Sequence, residues 1–356
     1  MDVLKDAIEK LAGGEHLTRE ESRQVSLGML TGDVPDAVIG GLLIGLKTNG
    51  ETPEEIAGFA QGMREVKVTI HPRTSTLVDT CGTGGDRMGT FNISTAAALI
   101  TAACGIPVAK HGNRGVSSNC GSADVLEALG VDMAMEPDKV CECIERVGIG
   151  FMFAPGFHPA MKQVMGARRA LGVPTIFNIL GPLTNPAGAR AQVLGVGRAG
   201  LAPVMAGVLS ELGCERGYVL HGMDGMDEFT LTTGTFVYEV DPDGVRRMEM
   251  APEDLGLPRC PLEALAGGGP EDNARLLRSI LAGEPGPMLD ISVANAAFAV
   301  TAGGATRTVL EGVEMAGEAV ASGGAEDVLE RLIAFSQPAL GADFSPPHDG
   351  GSDVPR

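Results

Sequence analysis

Three polar stretches of this chain carry groups suited to phosphate and metal. VDTCGTGGDRMGTFNISTAA, from Val78 to Ala97, leaves a short apolar strand, passes through a glycine-rich loop holding Asp86, and closes on Asn92, Ser94 and Thr95 ahead of an alanine-rich helix. Glycines let backbone amides approach an anion closely, and the free N–H groups at a helix start favour negative charge. Taken alone, the loop is equally an ordinary strand-to-helix turn. No lysine follows GTGGD as in GxxxxGK[ST], and no GxGxxG is present there, so the spacing points away from the two commonest nucleotide loops.

The second stretch, KHGNRGVSSNCGSAD from Lys110 to Asp124, sets lysine, histidine, asparagine, arginine and serines among glycines. Such donors on flexible backbone suit a second anionic group such as pyrophosphate, while Ser122 could also cap the DVLEALG helix. The third, HGMDGMDE from His221, ends in the adjacent carboxylates Asp227 and Glu228. In isolation they read as a solvated acidic turn. Beside a diphosphate they are useful only if they hold a cation, and magnesium takes one or two carboxylates with water and substrate phosphates. HPAMKQVMGARRALG, from His158, reads as a helix whose Arg168 could meet a carboxylate bidentately, with Arg169 complementing the helix dipole. Gly181, Pro182 and Pro186 in IFNILGPLTNPAG make a fixed turn that could wall a pocket or act as a hinge.

These groups need strand ends and helix starts to hold them. Up to about Val68 the pattern is helical: Thr18 with Glu21 and Thr52 with Glu55 form capping boxes, and a nearly all-apolar run through Val38, Ile39, Leu42, Leu43, Ile44 and Leu46 requires burial on several sides. From Leu77 onward apolar strands (106–110, 150–153, 191–197, 217–222) alternate with helices, the signature of a mainly parallel sheet. FVYEV, a DPDG turn and VRRMEM predict a hairpin, and helices return from about Asp272 to Phe335. In such sheets ligands gather at the carboxyl ends of the strands, where all three polar stretches fall.

The chain has 356 residues, 44% of them hydrophobic, with a formal charge of −19. That charge disfavours non-specific attraction to nucleic acid or anionic membrane. Asp2, Lys5, Asp6 and Glu9 are unlike a secretory leader, and no apolar run is long enough to span a bilayer, so a cytoplasmic protein is expected. The seven cysteines show neither CxxC nor zinc spacing and are expected as free thiols, with Cys81 an apolar filler.

GTGGD with NIST, KHGNR with GSADVLEALG, FHPAMK, TIFNILGPLTNPAG and HGMDGMDE, in this order, resemble the anthranilate phosphoribosyltransferases of tryptophan biosynthesis over all but the tail. The resemblance implies an α/β fold: a small N-terminal helical domain plus a larger α/β domain with a mainly parallel central sheet, and a homodimer formed through the helical part. The expected divisions are residues 1–72, joined by roughly 165–187, then 73–340, and a disordered tail at 341–356. It further implies that Gly82, Gly85, Asp86, Thr90, Asn92, Ile93, Ser94, Thr95, Lys110, His111, Gly112, Asn113, Arg114, Gly115, Val116, Ser117, Ser118 and Ser122 bind phosphoribosyl pyrophosphate. Ser94, Asp227 and Glu228 would hold Mg2+, two ions in all. Gly82, Asn113 and Arg168 would receive anthranilate, with His111, His158 and Pro182 lining its route, and no residue is assigned as acid or base. Pro174, where the family often has arginine, and Arg87-Met88 after GTGGD depart from the pattern. A pyrimidine nucleoside phosphorylase shares a glycine loop near GTGG but would lack the acidic pair. A non-catalytic relative that binds nucleic acid would need a basic stripe that this acidic chain makes improbable.

Overall fold

A computed structural model describes residues 2–74, 76–115 and 119–337. The expected disordered tail at 341–356, and the expected ligand residues Val116, Ser117 and Ser118, lie outside the described residues. Four helices come first: α1 (Asp2–Ala12), α2 (Arg19–Thr31), α3 (Asp36–Asn49) and α4 (Pro53–Glu65). Both predicted capping boxes form, with Glu21 accepting from the Thr18 amide at 2.9 Å and Glu55 from the Thr52 amide at 2.8 Å. The other Glu55 oxygen accepts the Leu17 N–H at 2.9 Å, so one carboxylate both starts α4 and ties down the α1–α2 connection. Ile39, Leu42, Leu43 and Leu46 of α3 are fully buried, whereas Val38 of the same run is half-buried and Ile44 is exposed. The apolar core of these helices continues into Val164, Ala167, Ile176, Leu180 and Leu183, and from there to Leu194, Val219 and Val240 of the sheet and Val196 just after β4.

The sheet runs β3-β2-β1-β4-β5-β6-β7. Its strands are β1 (Val78–Gly82), β2 (Val108–Gly112), β3 (Ile149–Phe153), β4 (Ala191–Gly195), β5 (Arg216–Gly222), β6 (Thr235–Asp241) and β7 (Gly244–Met250). The first five are parallel and the last two form the predicted antiparallel hairpin. Helices α5 (Ile93–Ala103), α6 (Ser122–Leu129), α7 (Pro137–Val147), α8 (Ala154–Phe157), α9 (Met165–Leu171) and α10 (Ala202–Glu211) make the crossovers, and α11 (Pro270–Leu281), α12 (Pro287–Ala302), α13 (Val309–Ala321) and α14 (Gly324–Ser336) complete the chain. α12 is buried from Ile291 to Ala302. The helix expected from His158 is instead a 3-10 turn over Pro159–Val164 followed by the short α9; the chain tightens where the His158 ring is drawn inside against His111. No helix among the described residues is long and apolar enough to cross a membrane. Among the described residues no cysteine forms a disulfide.

β1 has β2 on one side and β4 on the other, so the chain's winding reverses there. An open parallel sheet forms a ligand crevice at such a point, beyond the carboxyl ends of its strands. Gly82 ends β1 and Gly195 ends β4.

Candidate active site at the strand ends

The crevice is floored by the acidic pair. The Gly84 amide donates to Asp227 Oδ2 at 3.1 Å. A side chain on Gly82 would come within 2.6 Å of that oxygen, and one on Gly195 would collide with the Asp227 carbonyl. Two strands therefore end in glycine because the acidic loop packs onto their backbone. The intervening loop turns through left-handed conformations at Gly84, Gly85 and Gly89, and also at Arg87, the one non-glycine residue with positive φ (60°) among those described. Strained backbone of this kind collects at functional sites.

Burial, followed by the neighbouring Asp86 carboxylate, pushes the Asp227 pKa up to about 7. Burial and then Asp227 push Glu228 well above its usual range, against the opposing pull of the Lys110 ammonium and the Ser94 amide. Three carboxylates thus converge with one cation nearby. Lys110 is almost wholly buried, and its Nζ donates to Thr80 O at 2.6 Å and to Ser94 O at 3.3 Å. Among the described residues no three His, Cys, Asp or Glu side chains are disposed to enclose an ion by themselves. The arrangement fits an ion that completes its shell with water and substrate oxygens, as magnesium does.

At the start of α5, Asn92 does not cap the helix with its side chain. Its Nδ2 donates to Cys120 O at 3.1 Å and its Oδ1 accepts from Asn273 at 2.9 Å, tying the KHGNR connection and α11 to the glycine loop. Thr90 bridges to Ala266, Ile93 is buried core, and the buried Thr95 hydroxyl has no hydrogen-bond partner.

His111 and His158 form a second cluster, with ring centroids 5.0 Å apart. His111 Nδ1 lies 3.1 Å from Gly181 O, beside Pro182, which makes it the N–H and leaves Nε2 as a bare acceptor. Neither ring's Nε2 has a partner. Burial lowers His111 to about 4 and His158 to about 3, so both rings are neutral near neutrality. Beneath them Asp79, wholly buried, accepts from the His111 amide at 3.2 Å and from Asn185 Nδ2 at 2.8 Å. Burial raises the Cys81 thiol well above its usual value, so it offers no thiolate.

Beyond Gly112 the loop is held from α6. Ser122 is not the cap of that helix: Gly121 is, and Asp124 accepts from the amides of Gly121 (2.9 Å) and Gly115 (2.8 Å), leaving Ser122 as the first helical residue. A carboxylate three residues into the helix reaches back more readily than a hydroxyl inside it. Asn113 is exposed, its Oδ1 accepting from the Arg114 amide. Arg114 pairs with Asp124 (3.1 Å) and Glu127 (2.6 Å). Arg168 lies over the Phe177 ring at 5.6 Å and, among the described residues, has no carboxylate within ion-pair distance. Among the described residues no hydrogen bond, ion pair or ring contact joins it to the strand-end cluster; it stands on α9, on the helical side.

The chain matches the family model described as the glycosyl transferase family helical bundle domain over residues 5–66, and that of the a/b domain over 74–326. It is 52% identical over 324 residues to the anthranilate phosphoribosyltransferase of Haloferax volcanii, covering 91% of this chain and 97% of that protein. This chain belongs to the anthranilate phosphoribosyltransferase family. The crystal structure of the Thermus thermophilus anthranilate phosphoribosyltransferase superposes with a TM-score of 0.88 at 48% identity, covering 93% of this chain and 99% of that one. That of the Saccharomyces cerevisiae enzyme, in complex with PRPP and Mg, gives 0.85 at 28% identity over 94% and 97%.

Within this family fold, the sequence motifs located the strand ends but not what lies behind them. Asp79, Asn185 and Asn295 are buried polar residues at 0, 6 and 2% exposure. Each carried one available signal: a carboxylate or amide among mostly apolar neighbours in a strand, turn or helix.

Proposed function

We propose that this chain moves the phosphoribosyl group of phosphoribosyl pyrophosphate onto the amine of anthranilate, releasing pyrophosphate, in the second step of tryptophan biosynthesis from chorismate. The observation that carries the reading is the acidic pair seated on the glycine loop at the β1–β4 crevice, in a chain about half identical to the Haloferax volcanii transferase over nearly its full length. In this reading the loop from Gly82 through Thr95 and the loop from Lys110 to Ser118 with Ser122 hold the phosphates. Ser94, Asp227 and Glu228 hold two magnesium ions. When bound, magnesium supplies positive charge to the departing pyrophosphate.

The bond that breaks joins the ribose C1 to pyrophosphate oxygen; the bond that forms joins C1 to the amine nitrogen, which gives up a proton. An aromatic amine is neutral near pH 7, so the chain needs no strong base and the neutral imidazoles match that need. Amides of the glycine loop face the growing charge of the leaving group, and positioning of the amine against C1 supplies the rest. Asn113, Arg168 and Gly82 receive anthranilate, with His111, His158 and Pro182 along its route.

The helical unit of residues 1–72, joined by roughly 165–187, and the unit 73–340 are the two bodies between which the substrates meet. A homodimer through the helical part is supported by Val3, Ile44, Met165 and Val173, large apolar side chains exposed on α1, α3, α9 and the turn after α9. Free thiols fit a cytoplasmic enzyme.

The test follows loss of anthranilate fluorescence with phosphoribosyl pyrophosphate and magnesium, with chelator as control. Magnesium-dependent loss with matching pyrophosphate release is expected; no loss by the folded protein sinks the reading. Arg168→Ala is expected to raise KM for anthranilate by about 10–100-fold, the value of one charged hydrogen-bonded contact, with kcat changed much less. An unchanged KM would remove Arg168 from the anthranilate site.

A further inference from the structure

We propose that Asn295, in the middle of α12, is the positioning residue that fixes the Asp227–Glu228 pair for its metal. The inference rests on the reading of that pair as metal ligands. Within the apolar run ISVANAAFAV, Asn295 is the only amide side chain, and it is buried. Its Oδ1 accepts the Phe229 N–H at 2.9 Å, and its Nδ2 donates to Phe229 O at 3.0 Å and to Ile291 O at 2.9 Å. Both amide hydrogens are thereby used.

Phe229 directly follows Glu228 and has no strand partner in the sheet, since β6 begins at Thr235. The amide of Asn295 supplies both backbone bonds that a neighbouring strand would otherwise give. One turn further along α12, the Phe298 ring meets the Phe229 ring at 5.3 Å, so a single helix face holds this residue by backbone and side chain together. On the far side Thr230 Oγ1 donates to Asp224 Oδ2 at 2.7 Å and the Met226 amide to Asp224 Oδ1 at 3.0 Å, closing the turn on itself. The loop is therefore suspended between its own turn and α12.

The clamp bears on the pair because Phe229 directly follows it in the chain. Asp227 is seated on the glycine loop by the Gly84 amide at 3.1 Å, so a displacement of the Phe229 backbone would carry both carboxylates off that seat. Groups behind metal ligands fix their aim, and losing one commonly weakens metal binding about 10–100-fold. Leucine at 295 would fill the volume yet leave Phe229 N–H and C=O unpaired in the core. Aspartate would still accept the N–H but could not donate to the carbonyl.

The test titrates Mg2+ into the full chain with pyrophosphate present, by calorimetry, for the unchanged protein, Asn295→Leu, Asn295→Asp and Ser292→Ala. Ser292 is buried on the same helix but, among the described residues, its hydroxyl bonds only Met288 O, at 2.7 Å, one turn back on α12, and so reports the cost of disturbing α12. Expected is Mg2+ binding weakened about 10–100-fold by Asn295→Leu and less by Asn295→Asp, with Ser292→Ala within about twofold of the unchanged protein and KM for anthranilate little moved. Unchanged binding in Asn295→Leu, or equal weakening in Ser292→Ala, overturns the inference while leaving the metal reading intact. Absence of Mg2+ binding by the unchanged protein sinks the metal reading itself. Should the leucine variant not fold, hydrogen exchange of the unchanged, metal-free protein decides: the Phe229 amide must exchange as slowly as the core of α12, and exchange at the rate of an open loop overturns the clamp.

Discussion

Asp227→Asn combined with Glu228→Gln is expected to lower turnover by about 100- to 1,000-fold and to leave the residual rate insensitive to magnesium, while raising the melting temperature of the metal-free protein. The two effects have one cause. In the chain without metal these carboxylates are desolvated and set against Asp86, which pushes Asp227 up to about 7 and Glu228 well above its usual range. Amides of the same shape keep the acceptor for the Gly84 N–H and remove the repulsion, so folding gains. The ion loses its anionic ligands, so the leaving group loses its counter-charge. The pair of measurements is a magnesium titration of kcat and thermal unfolding with and without magnesium plus pyrophosphate. In the variant the ligand-induced rise in melting temperature should vanish. A magnesium titration that overlays the parent's would remove the metal role.

Much of this layout is readable in the sequence because local rules and tertiary demands agree. GTGGD sits between an apolar strand and an alanine-rich helix, so it can only be a strand-end loop. Thr18 with Glu21 and Thr52 with Glu55 mark helix starts that the fold keeps. Where the reading falls short, a contact outside the local pattern decides. Ser122 looks like a cap by type and position, but Asp124 reaches the Gly115 amide as well as Gly121 and takes the role. The helix expected from His158 tightens into a 3-10 turn because that ring meets His111, nearly fifty residues earlier in the chain. Asn295 and Asp79 look like interruptions of apolar elements until the groups they hold, Phe229 and the His111 amide, are seen beside them. Local periodicity locates an element; which of its polar residues faces inward depends on partners elsewhere in the chain, 32 residues away for Asp79 and 66 for Asn295.

Acid is expected to destabilise the parent protein more than a His111→Gln, His158→Gln double variant, by about 3 kcal/mol between about pH 6.5 and pH 5. In the unfolded chain both imidazoles titrate near their ordinary value of about 6.5. Folded, burial holds them at about 4 and about 3. Between those limits the unfolded state binds more protons, so the stability these two rings contribute is present above the unfolded pKa and is lost as pH falls, at about 1.4 kcal/mol per pH unit for each ring. Asp227 and Glu228 oppose this, since their raised values favour the folded state in acid; the parent-minus-variant difference cancels that common part. Denaturant unfolding of both proteins at the two pH values gives the difference directly. If it does not change with pH, the rings are not held neutral in the folded state. The neutrality matters for the proposed assignment: two uncharged rings, each with an Nε2 unpartnered among the described residues, would line the route of an anionic aromatic substrate without competing for its carboxylate. That carboxylate would then fall to Arg168, whose guanidinium has no ion-pair partner among the described residues.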